Sequence, residues 1–324
     1  MRALLLGMVT LSALAGCKKK ESLQLAEAAK ERAKDAGSGV APVPAHAHLI
    51  ASGQNVPRDL YAAGDSLHWL NEGRRAEGKP GLFKVSKRGG EVAELAVGLG
   101  IHAHALDGEN VYWIHPENEV VMRAPLAGGA PTPIASGQEN LSALALDDTH
   151  VYWAGAEEIR RAPKAGGPVQ VVASKLSIPS GLSVDAQAVY WYSPMSGKLA
   201  RAPKKGGAAR PVLSENVTLH SFFLDDGFLY WSLGSEKKAV IRRQATSGGK
   251  PFDVVTGQDV PAGLTADATH VYWTTGDAIF RVPKEGGAAA QTVVDGTDRA
   301  LSVAVDETHV YWSDRMGRIQ SVPK

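Results

Sequence analysis

The sequence predicts an all-β chain, a seven-bladed β-propeller of four-stranded blades, closed by an N-terminal strand that completes the last blade. Three observations carry this. All seven tryptophans share one register, Trp69, Trp113, Trp153, Trp191, Trp231, Trp273 and Trp312, at spacings of 44, 40, 38, 40, 42 and 39 residues. Six follow a tyrosine and the first follows His68, while Asp107, Asp147, Asp185, Asp225, Asp267 and Asp306 each stand six residues ahead of a tryptophan. A Gly-Gly pair follows in each of the first six copies. A period near 40 with four short β-prone runs per copy is the mark of propeller blades.

The first element precedes the repeat. Residues 1–16 read as an export signal, with Arg2 as the positive start and residues 3–13 as an apolar run too short for a comfortable membrane span. Leu14-Ala15-Gly16-Cys17 resembles the lipobox of bacterial lipoproteins. That resemblance implies cleavage before Cys17, lipidation of its thiol and durable anchoring to a bacterial membrane by acyl chains. Lys18, in place of the aspartate that often retains such proteins at the inner membrane, favours the outer membrane, with the body facing periplasm or cell surface. Cys17 is the single cysteine, so an internal disulfide is excluded and stability must come from packing.

Residues 17–46 are expected to form a polar tether. Residues 23–36 have helix-forming composition but a thin apolar stripe, and Gly37-Ser38-Gly39 and Ala41-Pro42-Val43-Pro44 then interrupt the run. Such a spacer holds the body off the bilayer while keeping it near.

Residues 47–324 are the predicted propeller. In the third copy, residues 144–146 form the inner strand, and residues 147–150 a turn whose Asp147 can cap free amides. Residues 151–154, 159–162 and 169–173 supply the other three strands, with a hairpin at 164–167. Tyr152 and Trp153 are adjacent, so they point to opposite faces of the blade, one toward each neighbour. The first copy is worn but complete, with strands at 59–62, 67–70, 82–85 and 92–96. The seventh stops at Lys324, where its outer strand is due, and the segment from His48 to Gln54 looks like the outer-strand segment from Pro133 to Gln138. The N-terminal strand is therefore expected to finish the last blade and leave no gap in the ring.

On these residues the chain resembles known propellers. Tyr311-Trp312-Ser313-Asp314 is similar to the YWTD repeats of LDL-receptor-type propellers, and D-x-x-x-V-Y-W with P-K-x-G-G looks like secreted bacterial propellers of that kind. The resemblance implies the fold and suggests ligand binding of the receptor sort. It departs from the family in that the fourth motif residue is aspartate only in the last copy, and in having seven blades where YWTD receptors have six. A fainter likeness, through the I-x-R-x-P-x-x-G rhythm, is to the seven-bladed streptogramin lyases.

Function in propellers gathers on the loops around one channel mouth. Eleven residues ahead of each tryptophan stand Arg58, His102, Ser142, Ser180, His220, Ala262 and Leu301, with Asp59, His104 and Ser221 beside them and Arg299 one loop position further out. Blades 1 to 5 are polar there and blades 6 and 7 apolar, an asymmetry the repeat does not require. His102 and His104 alternate along a strand and could share a face as metal ligands, with His220 the nearest third candidate. His150, His270 and His309 occupy one turn position on different blades and read as structural.

Among catalytic and phosphate-binding motifs there is no G-x-S-x-G, no H-E-x-x-H, and no glycine-rich loop between strand and helix. The propeller segment carries 28 basic against 30 acidic side chains, which argues against nucleic acid as a partner. The expectation is a membrane-anchored lipoprotein acting as a recognition or scaffold module for a protein, peptide or envelope glycan, with no cofactor and no catalytic residue assigned. The alternative is a propeller enzyme of lyase or lactonase type that uses His102, His104 or His220 with a divalent metal.

Overall fold

Seven antiparallel sheets of four strands each succeed one another along the chain, and each sheet is one copy of the repeat. The structure is a computed structural model, and it describes residues 46–73, 79–98, 100–213, 218–235 and 237–324. The export signal, Cys17 and the tether through residue 45 lie outside the described residues. The blades run 57–97, 104–136, 143–173, 180–211, 219–258, 263–295 and 300–323, the last completed by His48–Ala51. Among the described residues the only helical turn is the short 3-10 segment Pro116–Asn118, and no helix is long and apolar enough to cross a membrane.

The ring closes as the sequence predicts. His48–Ala51 pairs antiparallel with Ile319–Pro323, with Leu49 opposite Gln320 and Ala51 opposite Ile319. Gly317, at φ +78°, lets the last hairpin press against this segment: its amide oxygen accepts from the Gln54 N–H at 2.9 Å, and a Cβ there would strike the Gln54 carbonyl. Behind it lies a buried polar knot. Arg318 Nε donates to Asp314 Oδ2 at 2.6 Å, Gln320 Nε2 donates to the same oxygen at 2.9 Å, and the Met316 and Arg318 amides donate to Asp314 Oδ1.

Seven apolar clusters hold the blades together, and each spans an interface. Tyr112 of blade 2 packs with Trp153 of blade 3, Tyr152 with Trp191, Tyr190 with Trp231, Tyr230 with Trp273, Tyr272 with Trp312, and Tyr311 of blade 7 with Trp69 of blade 1. The adjacent pair thus works as a two-sided wedge, since neighbours on a strand face opposite ways. Burial of one such aromatic removes roughly 150 to 250 Å² of surface from water, so this contact dominates ring cohesion.

The turn aspartates do more than the sequence suggests. Asp147 Oδ1 accepts from the Thr149 and His150 amides at 2.8 Å, as a capping role requires. Its Oδ2 accepts from the Tyr152 hydroxyl at 2.8 Å and from Lys204 of the next blade at 2.5 Å. Lys164 meets Asp107 at 2.9 Å, Lys324 meets Asp267 at 2.5 Å, Lys87 meets Asp306 at 2.8 Å, and Lys284 meets Asp225 in the same way. The lysine of the P-K-x-G-G turn is therefore a clamp onto the preceding blade. It follows that two interfaces differ. Between blades 1 and 2 the aspartate position is Ala63 and the lysine position Leu126, so both partners are replaced together; between blades 4 and 5 Asp185 remains and the lysine position is Thr246, whose carbonyl accepts from Arg201 as the Lys164 carbonyl does from Arg123.

Candidate functional site

The inner strands enclose a channel of about 900 Å³. Every residue of the column eleven positions before a tryptophan lines it: Arg58, His102, Ser142, Ser180, His220, Ala262 and Leu301. Asp59, His104 and Ser221 line it as well. Arg299 does not: it is exposed on the connection before Ala300–Val305, in a left-handed backbone conformation at φ +62°, and stands outside the wall.

The mouth residues divide into those already tied to the fold and those facing the channel. Ser142 Oγ donates to the Pro179 carbonyl at 2.7 Å, and His220 Nε2 donates to the Gly234 carbonyl at 2.6 Å, so both secure connecting loops. Arg58 is ion-paired with Glu72. Asp59 belongs to a β-bulge between Arg58 and Tyr61, with φ +50°. A bulge adds one residue to its strand and re-aims side chains, and here it delivers Asp59 and Tyr61 to the channel wall. Asp59 is exposed to the channel that the wall surrounds. Desolvation by that wall raises its pKa; Arg58 acts against the shift and Glu72 adds to it. The Tyr61 hydroxyl is pushed up by burial and then by the Asp59 charge.

His104 has a different setting from His102. It faces Trp113 in the register held by Leu144, Leu182, Phe222, Leu264 and Val303 in other blades, an apolar belt with one imidazole in it. It is 3% exposed, neither ring nitrogen has a hydrogen-bond partner among the described residues, and the Tyr61 ring meets it edge-on at 4.9 Å. His68, also 3% exposed, takes the place of the tyrosine on the facing blade. Burial lowers the His104 pKa to about 3, with His68 adding to the shift, and lowers that of His68 to about 4, with Lys84 adding. Both rings are neutral at ordinary pH. His102 is exposed at the mouth, ahead of the strand that begins at His104, so the two do not present a common ligand face. Among the described residues no group of three or more His, Cys, Asp or Glu side chains gathers at a point.

His150, His270 and His309 open the second strands of their blades, away from the channel wall, each with Nδ1 at 2.7 or 2.8 Å from the hydroxyl of the preceding threonine. Sequence reasoning missed Tyr61 and His68. The signals were the extra residue in the first inner strand and the single break in the Tyr-Trp series.

Comparison with known proteins fits this geometry. No protein-family model matches the chain, and no curated protein matches it. Among solved structures, a catalytically inactive virginiamycin B lyase from Staphylococcus aureus, determined with quinupristin, is similar over 86% of this chain and 98% of its own, with a TM-score of 0.68 at 12% identity. The WD40 β-propeller domain of Doa1 is similar over 86% of this chain and 97% of its own, with a TM-score of 0.66 at 11% identity. A chain of a nidogen/laminin complex aligns over 79% of this chain and 84% of its own, with a TM-score of 0.47 at 17% identity. At such identities the first two likenesses establish the propeller fold and leave its function to the residues of the channel.

Proposed function

We propose that this chain is an exported recognition module, anchored to a bacterial membrane through Cys17, that takes its ligand at the channel mouth. The observation that supports the reading is the one-sidedness of the channel. Five copies place polar groups at the mouth position and two place Ala262 and Leu301 there, while the wall also carries the exposed carboxylate of Asp59. Positions that serve the ring alone repeat in nearly every blade, as Trp and Tyr do. Positions that vary with a consistent asymmetry around one opening are what a ligand requires. A cavity of about 900 Å³ lies within the range of small-ligand sites, roughly 300 to 1,000 Å³.

The test uses the full-length chain in detergent with fractions of a bacterial envelope extract. Ala262 is exposed at the mouth on the apolar side, so Ala262→Trp narrows the opening without touching the polar groups. The expected result is a fraction that raises the melting temperature of the wild type and leaves that of Ala262→Trp unchanged. Equal stabilisation of both, with Ala262→Trp otherwise folded, rejects the channel as the site.

A further inference from the structure

We infer that the seam between blades 1 and 2 is built to open in acid: protonation of His68 and His104, buried there in place of the groups that hold other seams, parts the two blades beside the channel. The inference is independent of what the channel binds.

Most seams are held twice, by an aromatic wedge and by an Asp-Lys pair, as Tyr112 with Trp153 and Asp107 with Lys164 hold blades 2 and 3. Between blades 4 and 5 the lysine is missing, but Asp185 remains and accepts from the Tyr190 hydroxyl at 2.9 Å. Between blades 1 and 2 all three groups are replaced. His68 stands for the tyrosine, Ala63 for the aspartate and Leu126 for the lysine. Trp113 still packs there with Leu70 and Leu82, and Lys84 Nζ donates across the seam to the Leu126 carbonyl.

Into this weaker seam the fold puts two imidazoles. His104 stands opposite Trp113 on its own blade and meets the Tyr61 ring of blade 1, and Tyr61 stands opposite His68. Residues opposite one another in an antiparallel pair share a face, so His68 and Tyr61 turn toward blade 2 together. Among the described residues both ring nitrogens of His104 and Nδ1 of His68 lack hydrogen-bond partners. A neutral imidazole is costly in such a place, and a charged one, with two donors to satisfy, is far costlier.

The charged and titratable groups facing the rings give no relief. Lys84 stands opposite His68 and opposes its protonation, and His68 opposes that of His104. Tyr61 is kept a neutral phenol by burial and by the charge of Asp59. An opened seam lets water reach both rings and returns them to an ordinary pKa of about 6.5. The closed seam holds them below that value, so closure is fully favoured above it and weakens as pH falls. At about pH 4.5 each ring so released favours the open seam about 100-fold. The Asp-Lys clamps of other seams lose their charge only in stronger acid, since Asp147, Asp267 and Asp306 are held well below the usual carboxylate range. Tyr61 and His104 both line the channel, so an opening here breaches its wall.

The tryptophans supply one reporter per seam, with Trp113 at this one and Trp69, Trp153, Trp191, Trp231, Trp273 and Trp312 at the others. The full-length chain labelled with 5-fluorotryptophan gives one fluorine resonance for each, and Trp113→Phe assigns the one that matters. Between about pH 7.5 and 4.5 the Trp113 resonance is expected to shift or broaden reversibly while the other six hold. His104→Leu, which supplies a belt residue found in other blades, should lower the open population at the acid end about 100-fold. If His104→Leu does not fold, His68→Phe, which returns an aromatic ring to the wedge position, is read in the same way. A Trp113 resonance that stays fixed at the acid end, a change shared by all seven tryptophans, or an acid response kept in full by the folded variant overturns the inference.

Discussion

Lys87 Nζ of blade 1 lies 2.8 Å from Asp306 Oδ2 of blade 7, an ion pair drawn across the seam where the two ends of the ring meet. The same carboxylate oxygen accepts from the Tyr311 hydroxyl at 2.7 Å, and the lysine sits 5.7 Å from the centre of the Tyr311 ring. Polar clamp and aromatic wedge thus converge on one tyrosine, and a charged hydrogen bond held against a ring contributes more than an exposed pair would.

Replacing Lys87 by methionine keeps the stem and removes the charge. The expected cost is about 1 to 2 kcal/mol in urea unfolding, and a double-mutant cycle with Asp306→Asn should give a coupling of about 1 kcal/mol. An unfolding midpoint equal to that of the wild type removes the clamp from the account.

The aspartate clamps also set an acid limit. Burial alone would raise the Asp107 pKa, but hydrogen bonds from Lys164, two backbone amides and Tyr112 outweigh it and lower the value to about 2; Asp147, Asp267 and Asp306 are lowered for the same reasons. A carboxyl group whose folded pKa lies below its unfolded value of about 3.9 stabilises fully above that value, and the contribution is lost as pH falls through the folded one. Unfolding midpoints in urea should therefore drop steeply between about pH 4 and 2, and the drop should be shallower in Asp107→Asn.

The two imidazoles at the interface of blades 1 and 2 act in a higher window. His68 and His104 are lowered to about 4 and about 3, so charging them opposes folding. Their neutral contribution is intact above about pH 6.5 and is lost progressively as pH falls toward their folded values. His104→Leu restores the belt residue of the other blades and should raise stability at pH 5 more than at pH 8. Equal effects at the two pH values would show that neither ring is held neutral by its surroundings.

Much of the molecule was legible from periodicity. Tryptophan spacing fixed blade number, strand placement came within about three residues, and the mouth column lines the channel at all seven positions. The clamps were not legible because their partners lie on different blades, 57 residues apart for Asp267 and Lys324, and the lysine reads locally as an ordinary turn residue. The joint replacement at Ala63 and Leu126 was the available clue. Strand alternation makes His102 and His104 equivalent, yet the strand begins only at His104, and of the two only His104 is buried. Asp59 and Tyr61 owe their positions to a bulge, and a period-two pattern cannot announce an extra residue.

Anchoring through Cys17 predicts that the chain labels with a radioactive fatty acid in a bacterial host and partitions into the membrane fraction. Cys17→Ser should be unlabelled. Retention of label in that variant would contradict the lipobox reading.

The most direct measurement is amide hydrogen exchange on the full-length chain with and without the stabilising envelope fraction. The account predicts added protection concentrated at the channel ends of the inner strands, around residues 58–61, 102–104 and 219–221. Protection confined to the outer strands or to the Asp-Lys turns, with the mouth unchanged, would contradict it and make the rim the working surface.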